Sequence, residues 1–270
     1  SETNISMFFA KEFNPKRKKE CDAHKSREKV IKNKNKNLIF LLEKRYFWMN
    51  KFIKRKKNVI ELGSGNGAIK EILKKKNILL TDVLTYPWIK KKVDMTKLNL
   101  GRKYLNKVDV FIINNSLHHC CNPAKTLKKM SMYLKKNGFI LINEPEISFF
   151  MRFLQVILDD ENWSYKVNIF NSKKNIFKSN NPWVSNTATA QLLFGDEKKF
   201  NRFFPQYKIM KNTLSEFLIF INSGGVYNEV MYIPFNNFFL KILDYIDSVL
   251  IYLFPRVFAL NRAVILKKIK

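Results

Sequence analysis

Two rhythms of hydrophobic and polar positions run along this chain of 270 residues. Leu38, Leu41, Leu42, Tyr46, Met49 and Phe52 recur near helical spacing, which predicts a helix over 38–56. The short apolar run Asn58-Val59-Ile60-Glu61-Leu62 then reads as a buried strand leading into Gly63-Ser64-Gly65-Asn66-Gly67. Ala68 to Lys76 reads as a helix, Ile78 to Thr81 as a second strand closing at Asp82, and Lys107 to Asn114 as a third. Pro123 to Lys135 reads as a helix that Asn137-Gly138 is expected to cap, and Phe139 to Asn143 as a further strand. Strands and helices alternating at this spacing predict an α/β fold with a parallel sheet and right-handed crossovers.

Past Glu144-Pro145 the alternation fails. Residues 146–200 are aromatic and irregular, and strand-like segments return only at Tyr207 to Met210 and Ala263 to Lys267. Between them lie Ser223-Gly224-Gly225 and an amphipathic helix from Phe238 to Leu253. The expected organisation is a basic, Asn-rich segment over 1–37, mobile or serving as a lid, followed by one domain over 38–270. Additions at about 146–200 and 214–258 are expected to cover the carboxyl end of the sheet, where open α/β folds bind substrates. The 238–253 helix is expected on the sheet or at a homodimer interface. Peripheral membrane contact is the alternative, because its charges leave one apolar face.

Composition narrows the classes. Hydrophobic residues at 46% and aromatics at 14% exclude disorder throughout. Three cysteines exclude a disulfide scaffold and fit a reducing compartment. Phe8, Phe9 and Phe13 are followed by Pro15-Lys16-Arg17-Lys18-Lys19, which leaves no room for a signal-peptide core. The most apolar stretch, Tyr232 to Phe258, is broken by Lys241, Asp244, Asp247 and Arg256, so no transmembrane span is expected and the location reads as cytoplasmic. Lys and Arg number 50 against 22 Asp and Glu, a net charge of +28. A nucleic-acid patch would cluster Arg, whereas here Lys is scattered among abundant Asn, Ile, Phe and Tyr, all with A/T-rich codons. Genome bias with a solvated surface is therefore preferred over a polyanion site.

The chemistry concentrates in Val59-Ile60-Glu61-Leu62-Gly63-Ser64-Gly65-Asn66-Gly67. Glycines at a strand-to-helix turn permit positive φ and close approach of a ligand. A phosphate-binding Walker loop needs Lys-Ser/Thr after the last glycine, and this is absent. A dinucleotide fingerprint places its third glycine one position later, and Glu61 suits a pyrophosphate poorly. S-adenosylmethionine carries an ammonium and a sulfonium, both of which tolerate a nearby acid.

On these residues the chain resembles the class I S-adenosylmethionine-dependent methyltransferases. Glu61 to Gly67 is similar to their first motif, and Asp82 to the acid that takes both ribose hydroxyls. Val93-Asp94-Met95 falls where the family surrounds adenine, and Asn114-Asn115-Ser116-Leu117-His118-His119 matches the motif ending its fourth strand. The resemblance implies a Rossmann-like, seven-stranded, mostly parallel sheet flanked by helices, with C-terminal additions over the substrate end. It implies S-adenosyl-L-methionine as cofactor, with contacts from Glu61, Gly63, Ser64, Gly65 and Gly67, and from Asp82, Val83, Asp94, Met95 and Asn115. Asp82-Val83-Leu84-Thr85-Tyr86-Pro87-Trp88-Ile89, Asn143 to Ser148, Ser185-Asn186 to Phe194 and Ser223-Gly224-Gly225-Val226 are similar to a bacterial type-11-like subgroup that often accompanies glycan pathways. The expected reaction is methyl transfer to a small-molecule acceptor, a hydroxyl of a sugar or glycan precursor. The alternatives are an RNA or protein methyltransferase using the basic surface, or a non-catalytic cofactor-binding homologue.

Removing a hydroxyl proton calls for a base. His119, His118 and Glu144 are the candidates, with His119 preferred. Trp183 and Asn186, within the aromatic addition, are candidate acceptor contacts. His118-His119-Cys120-Cys121 does not read as a metal site, because neighbours converge poorly on one ion and the only distant partners are Cys21 and His24.

Overall fold

The computed structural model describes residues 22–270 apart from 33, 76, 159, 160 and 180, so most of the basic 1–37 segment lies outside the described residues. Seven strands form one sheet: β1 (Val59–Leu62), β2 (Ile78–Asp82), β3 (Lys91–Lys92), β4 (Val108–Asn114), β5 (Leu134–Pro145), β6 (Tyr207–Ser215) and β7 (Asn261–Lys268). Their spatial order is β3-β2-β1-β4-β5-β7-β6. The first five run parallel, and β7 alone runs against its neighbours β5 and β6. The order reverses between β1 and β4, so the crevice outside their carboxyl ends is the expected binding place.

The core follows from the period of two. Ile60, Leu62, Phe111 and Ile113 fill one face, while Val59, Val110 and Ile112 fill the other. Helix Pro123–Tyr133 backs the first face, and helices Lys36–Tyr46 and Ala68–Leu73 the second. Two of these helices begin where an Asn side chain takes an early backbone N–H: Asn35 from Leu38 (3.0 Å) and Asn122 from Lys125 (2.9 Å). The expected cap at Asn137-Gly138 is not one. The helix stops at Tyr133, and Leu134 already pairs with Val108. Residues 135–138 loop out before Phe139 pairs with Val110, and Asn137 turns there at φ 63°.

Two segments depart from the strand–helix alternation. The first, after β5, contains an unanticipated helix, Phe149–Leu158, and the helices Thr189–Phe194 and Glu197–Phe203. The second leaves the sheet at Ser215 and returns at Asn261, and these two residues are paired across β6 and β7. It carries helix Asn237–Leu253, whose start Asn236 caps. Buried Asp247 accepts from the N–H groups of Phe217, Leu218 and Ile219, and Glu216 forms a buried two-pronged ion pair with Arg45. Among the described residues, no helix is long and apolar enough to cross a membrane.

Candidate active site

A cavity of about 1070 Å³ opens at the carboxyl ends of β1, β2, β4 and β5. On one side lies the glycine turn. Gly63, Gly65 and Gly67 have φ of 69°, 48° and 67°, a region that costs other residues strain. A Cβ at Gly63 would also stand 2.5 Å from that of Ser116. Ser64 is stitched to β2, its N–H donating to Thr81 O (2.9 Å) and its Oγ accepting from Thr81 N (3.1 Å). Asp82 spans the turn, accepting from Gly65 N (2.8 Å) and Leu84 N (2.9 Å). Burial raises its pKa, opposed by those N–H groups. Glu61 lines the cavity, and its Oε2 is buried with no hydrogen-bond partner among the described residues. Burial pushes its carboxyl up to about 8, with Ser64 pulling down and Asp82 adding to the rise.

On the other side, Leu117–His119 makes one tight turn after β4. Glu144 holds it from behind: Oε1 accepts from Ser116 N (2.8 Å) and Leu117 N (2.7 Å), and Oε2 from His118 N (3.2 Å) and His118 Nδ1 (2.5 Å). His118 Nε2 lies 3.3 Å from Glu161 Oε1. Burial alone would depress the His118 imidazole, but the two carboxylates outweigh it and raise its pKa to about 10. His118 is thus an imidazolium donating from both ring nitrogens.

His119 differs. Its Nδ1 lies 3.2 Å from the carbonyl oxygen of Val184, which can only accept, so Nδ1 carries the hydrogen. In the neutral ring Nε2 then holds the lone pair, 3.5 Å from Glu161 Oε1. His118, His119 and Glu161 bring their ligating atoms within 4.8 Å of one another, a spacing that one cation could share. Both ring nitrogens of His118 face carboxylate oxygens, so the same trio is also arranged to share a proton.

The sequence profile of the methyltransferase domain matches residues 26–179, more than half of the chain. The chain belongs to this methyltransferase family. The match spans the glycine turn and strands β1 to β5, the part of the chain whose motifs resemble the class I enzymes and imply S-adenosylmethionine as methyl donor. No curated protein matches it in sequence. Among solved structures it is similar to a SAM-dependent methyltransferase from Archaeoglobus fulgidus, at 15% identity over 88% of this chain and 98% of that one, with a TM-score of 0.49. It is similar to the plantazolicin methyltransferase BpumL in complex with SAH, at 14% identity over 91% and 90% of the two chains, with a TM-score of 0.44. It is also similar to the CurJ carbon methyltransferase, at 14% identity over 86% of this chain and 54% of that one, with a TM-score of 0.44.

The methyltransferase's donor set fits such a cofactor: a buried carboxylate oxygen without a partner, a second carboxylate at the cavity wall, and a glycine turn with no room for side chains. The cavity is lined by Glu61, Gly63, Ser64, Gly65, Asp82 and Val83 on the turn side. Asp94, Met95, Asn115, His118, His119 and Trp183 also line it. Gly67 stands back from it, at the start of helix Ala68–Leu73. Glu144 and Asn186 lie behind the wall. Glu144 is fully buried and spent on the His turn, so it meets no acceptor. Asn186 is fully buried and bonds Ser164 through both amide atoms (2.9 and 3.0 Å), which ties the loop rather than facing the cavity.

Three further residues close the site, and sequence reading had not singled them out. Tyr227 accepts from Asn66 N (3.1 Å) and covers the glycine turn. Its ring meets Trp183 edge-on at 6.3 Å, and Trp183 meets His119 at 6.4 Å, so aromatic rings link the two sides. Ser26, on helix Ala23–Lys32, accepts from Asn66 Nδ2 (2.7 Å) and donates to Val226 O (2.7 Å). The third is Glu161. None of these has a local pattern that marks it, since each acts through residues distant in sequence.

Proposed function

We propose that the enzyme methylates a hydroxyl of a small-molecule acceptor, a sugar or glycan precursor, with His119 as general base. Bound S-adenosylmethionine supplies an electrophilic methyl on a sulfonium, already a good leaving arrangement. The chain's task is to hold the acceptor oxygen in line and take its proton.

In this reading Asp82 takes the ribose hydroxyls and Glu61 the ammonium, with Gly63, Ser64 and Gly65 against the methionine tail. Val83, Asp94, Met95 and Asn115 surround the adenosine. His119 Nε2 receives the acceptor proton, and the nearby Glu161 carboxylate stabilises the imidazolium that forms. His118 and Glu144 are positioning residues, because one is already protonated and the other does not reach the cavity. Trp183, at the cavity wall, offers a flat apolar surface to a sugar ring.

The observation that carries this reading is the placement of His119 at the cavity, with Nδ1 held by Val184 O and Nε2 beside the Glu161 carboxylate, so that a proton taken at Nε2 lands next to a negative charge. A neutral amine or a thiolate, which already carries a free nucleophilic lone pair, would have less need of a base there. The domain reading is one catalytic unit over 38–270, cytoplasmic, with 146–200 and 214–258 selecting the acceptor. A macromolecular acceptor is the second reading, favoured by the net charge of +28. The test is a transfer screen with labelled cofactor against glycan precursors and RNA in parallel. A labelled, base-stable ether on a glycan precursor is expected, and label on RNA alone overturns the acceptor.

A further inference from the structure

We propose that the outer face of helix Asn237–Leu253 seats the enzyme on an anionic lipid bilayer. Phe238, Ile242, Tyr245, Val249 and Tyr252 fall at successive three- and four-residue steps, so they form one stripe. All are exposed, with Phe238 at 67%, Tyr245 at 72% and Tyr252 at 86%. The opposite stripe, Leu240, Asp247 and Ile251, is buried against the molecule. Such a run of exposed large side chains exceeds the single apolar residues that a solvated surface normally carries.

The charges of this helix point to the partner. Its two acids are turned away from the stripe: Asp247 is buried on the N–H groups of Phe217 to Ile219, and Asp244 pairs with Lys44. The charges left exposed are Lys241 and, just beyond the helix, Arg256. Aromatic side chains with basic neighbours suit the headgroup layer of an anionic bilayer. The helix is 17 residues long and does not qualify as a span, so it lies in the interface plane. The chain's charge of +28 draws it to anionic lipid and opposes close approach of a second copy.

Past the helix end, Phe258 meets Phe254 at 6.3 Å and stacks on Phe150 at 5.5 Å, which anchors this end of the helix on helix Phe149–Leu158. Leu158, 43% exposed on that helix, lines the cavity, as does the exposed Val230.

The experiment is co-sedimentation of the full chain with vesicles of phosphatidylcholine alone, or with about 30 mol% phosphatidylglycerol. The protein is expected to pellet with the anionic vesicles. The combined substitutions Phe238→Ser, Tyr245→Ser and Tyr252→Ser leave the net charge unchanged and are expected to weaken partition by roughly tenfold or more. Because these side chains are exposed, the melting temperature and binding of S-adenosylhomocysteine should stay as in the parent. Three results overturn the proposal: no pelleting of the parent with anionic vesicles, equal pelleting of the triple variant, or a dimer in sedimentation that the same substitutions dissolve. None of these bears on whether His119 acts as the base.

Discussion

Glu61 lies on β1 and Glu144 on β5, two strands of the same sheet with β4 between them, and the protein treats them in opposite ways. Both are buried carboxylates at its carboxyl end. Glu144 is surrounded by three backbone N–H groups and the His118 ring, so its charge is balanced within the chain. Glu61 has an oxygen with no partner among the described residues, in a site that pushes its proton affinity up. A paired buried charge is architecture. An unpaired one beside a cavity is a place that something else completes. The glycine-turn side therefore keeps a polar group in reserve, and the side of the His turn spends its carboxylate on holding the turn and the His118 ring.

The contrast can be tested from both ends. The largest expected effect falls on the acceptor side. His119→Ala should slow single-turnover methyl transfer by roughly 10²–10⁴-fold, the range for a lost general base, while cofactor affinity from titration calorimetry stays close to the parent's. A matching loss of cofactor affinity would break the division between the two sides. Next comes Asp82→Ala, which should weaken S-adenosylhomocysteine binding by about 2–3 kcal/mol, the scale of hydrogen bonds to a charged group. Unchanged binding would remove Asp82 from the cofactor side.

Glu144→Gln should cost about 3 kcal/mol in urea unfolding, because it disturbs a buried ion pair. Equal stability would mean that its partners are satisfied some other way. The last test is a pH dependence at Glu61, spread over a wide interval of pH. Its pKa in the folded protein is about 8, against 4.5 for the free side chain, so the folded state binds the extra proton between those values. Stability without cofactor should then fall as pH rises from about 4.5 through about 8, and Glu61→Gln should flatten that part of the slope in melting curves. A cation bound at Glu61 favours the ionised form, so cofactor binding near neutral pH should release protons in the parent and fewer in the variant.

Much of the cofactor side was legible because it is local. The strand, the glycine turn and Asp82 lie within 59–82, and the His turn follows β4 directly. Helix Asn237–Leu253 was visible from its stripe, one residue short of its observed start. Helix Phe149–Leu158 was not, since in Phe-Phe-Met-Arg-Phe-Leu-Gln-Val-Ile-Leu only Arg152 and Gln155, three apart, mark a helical face, and a short run so rich in apolar residues reads equally as a buried strand. Asn137-Gly138 has the composition of a helix cap, but pairing of Leu134 with Val108 ends the helix earlier. Glu161 and Tyr227 acquire their roles only through contacts with His118, His119 and Asn66, which sequence spacing does not encode. Glu144 stood at the right end of the right strand, and only its hydrogen bonds separate a tie from a contact.

The pairing of Ser215 with Asn261 has an evolutionary corollary. Everything between them departs from and rejoins the sheet at one rung, as a detour within a hairpin. The entropy of closing such a detour grows only with the logarithm of its length. Chain closure therefore sets little limit on the length of residues 216–260, and what fixes them is what they hold: Glu216 on Arg45 at one end and Tyr227 over the glycine turn, so that only the part beyond these ties is free to vary.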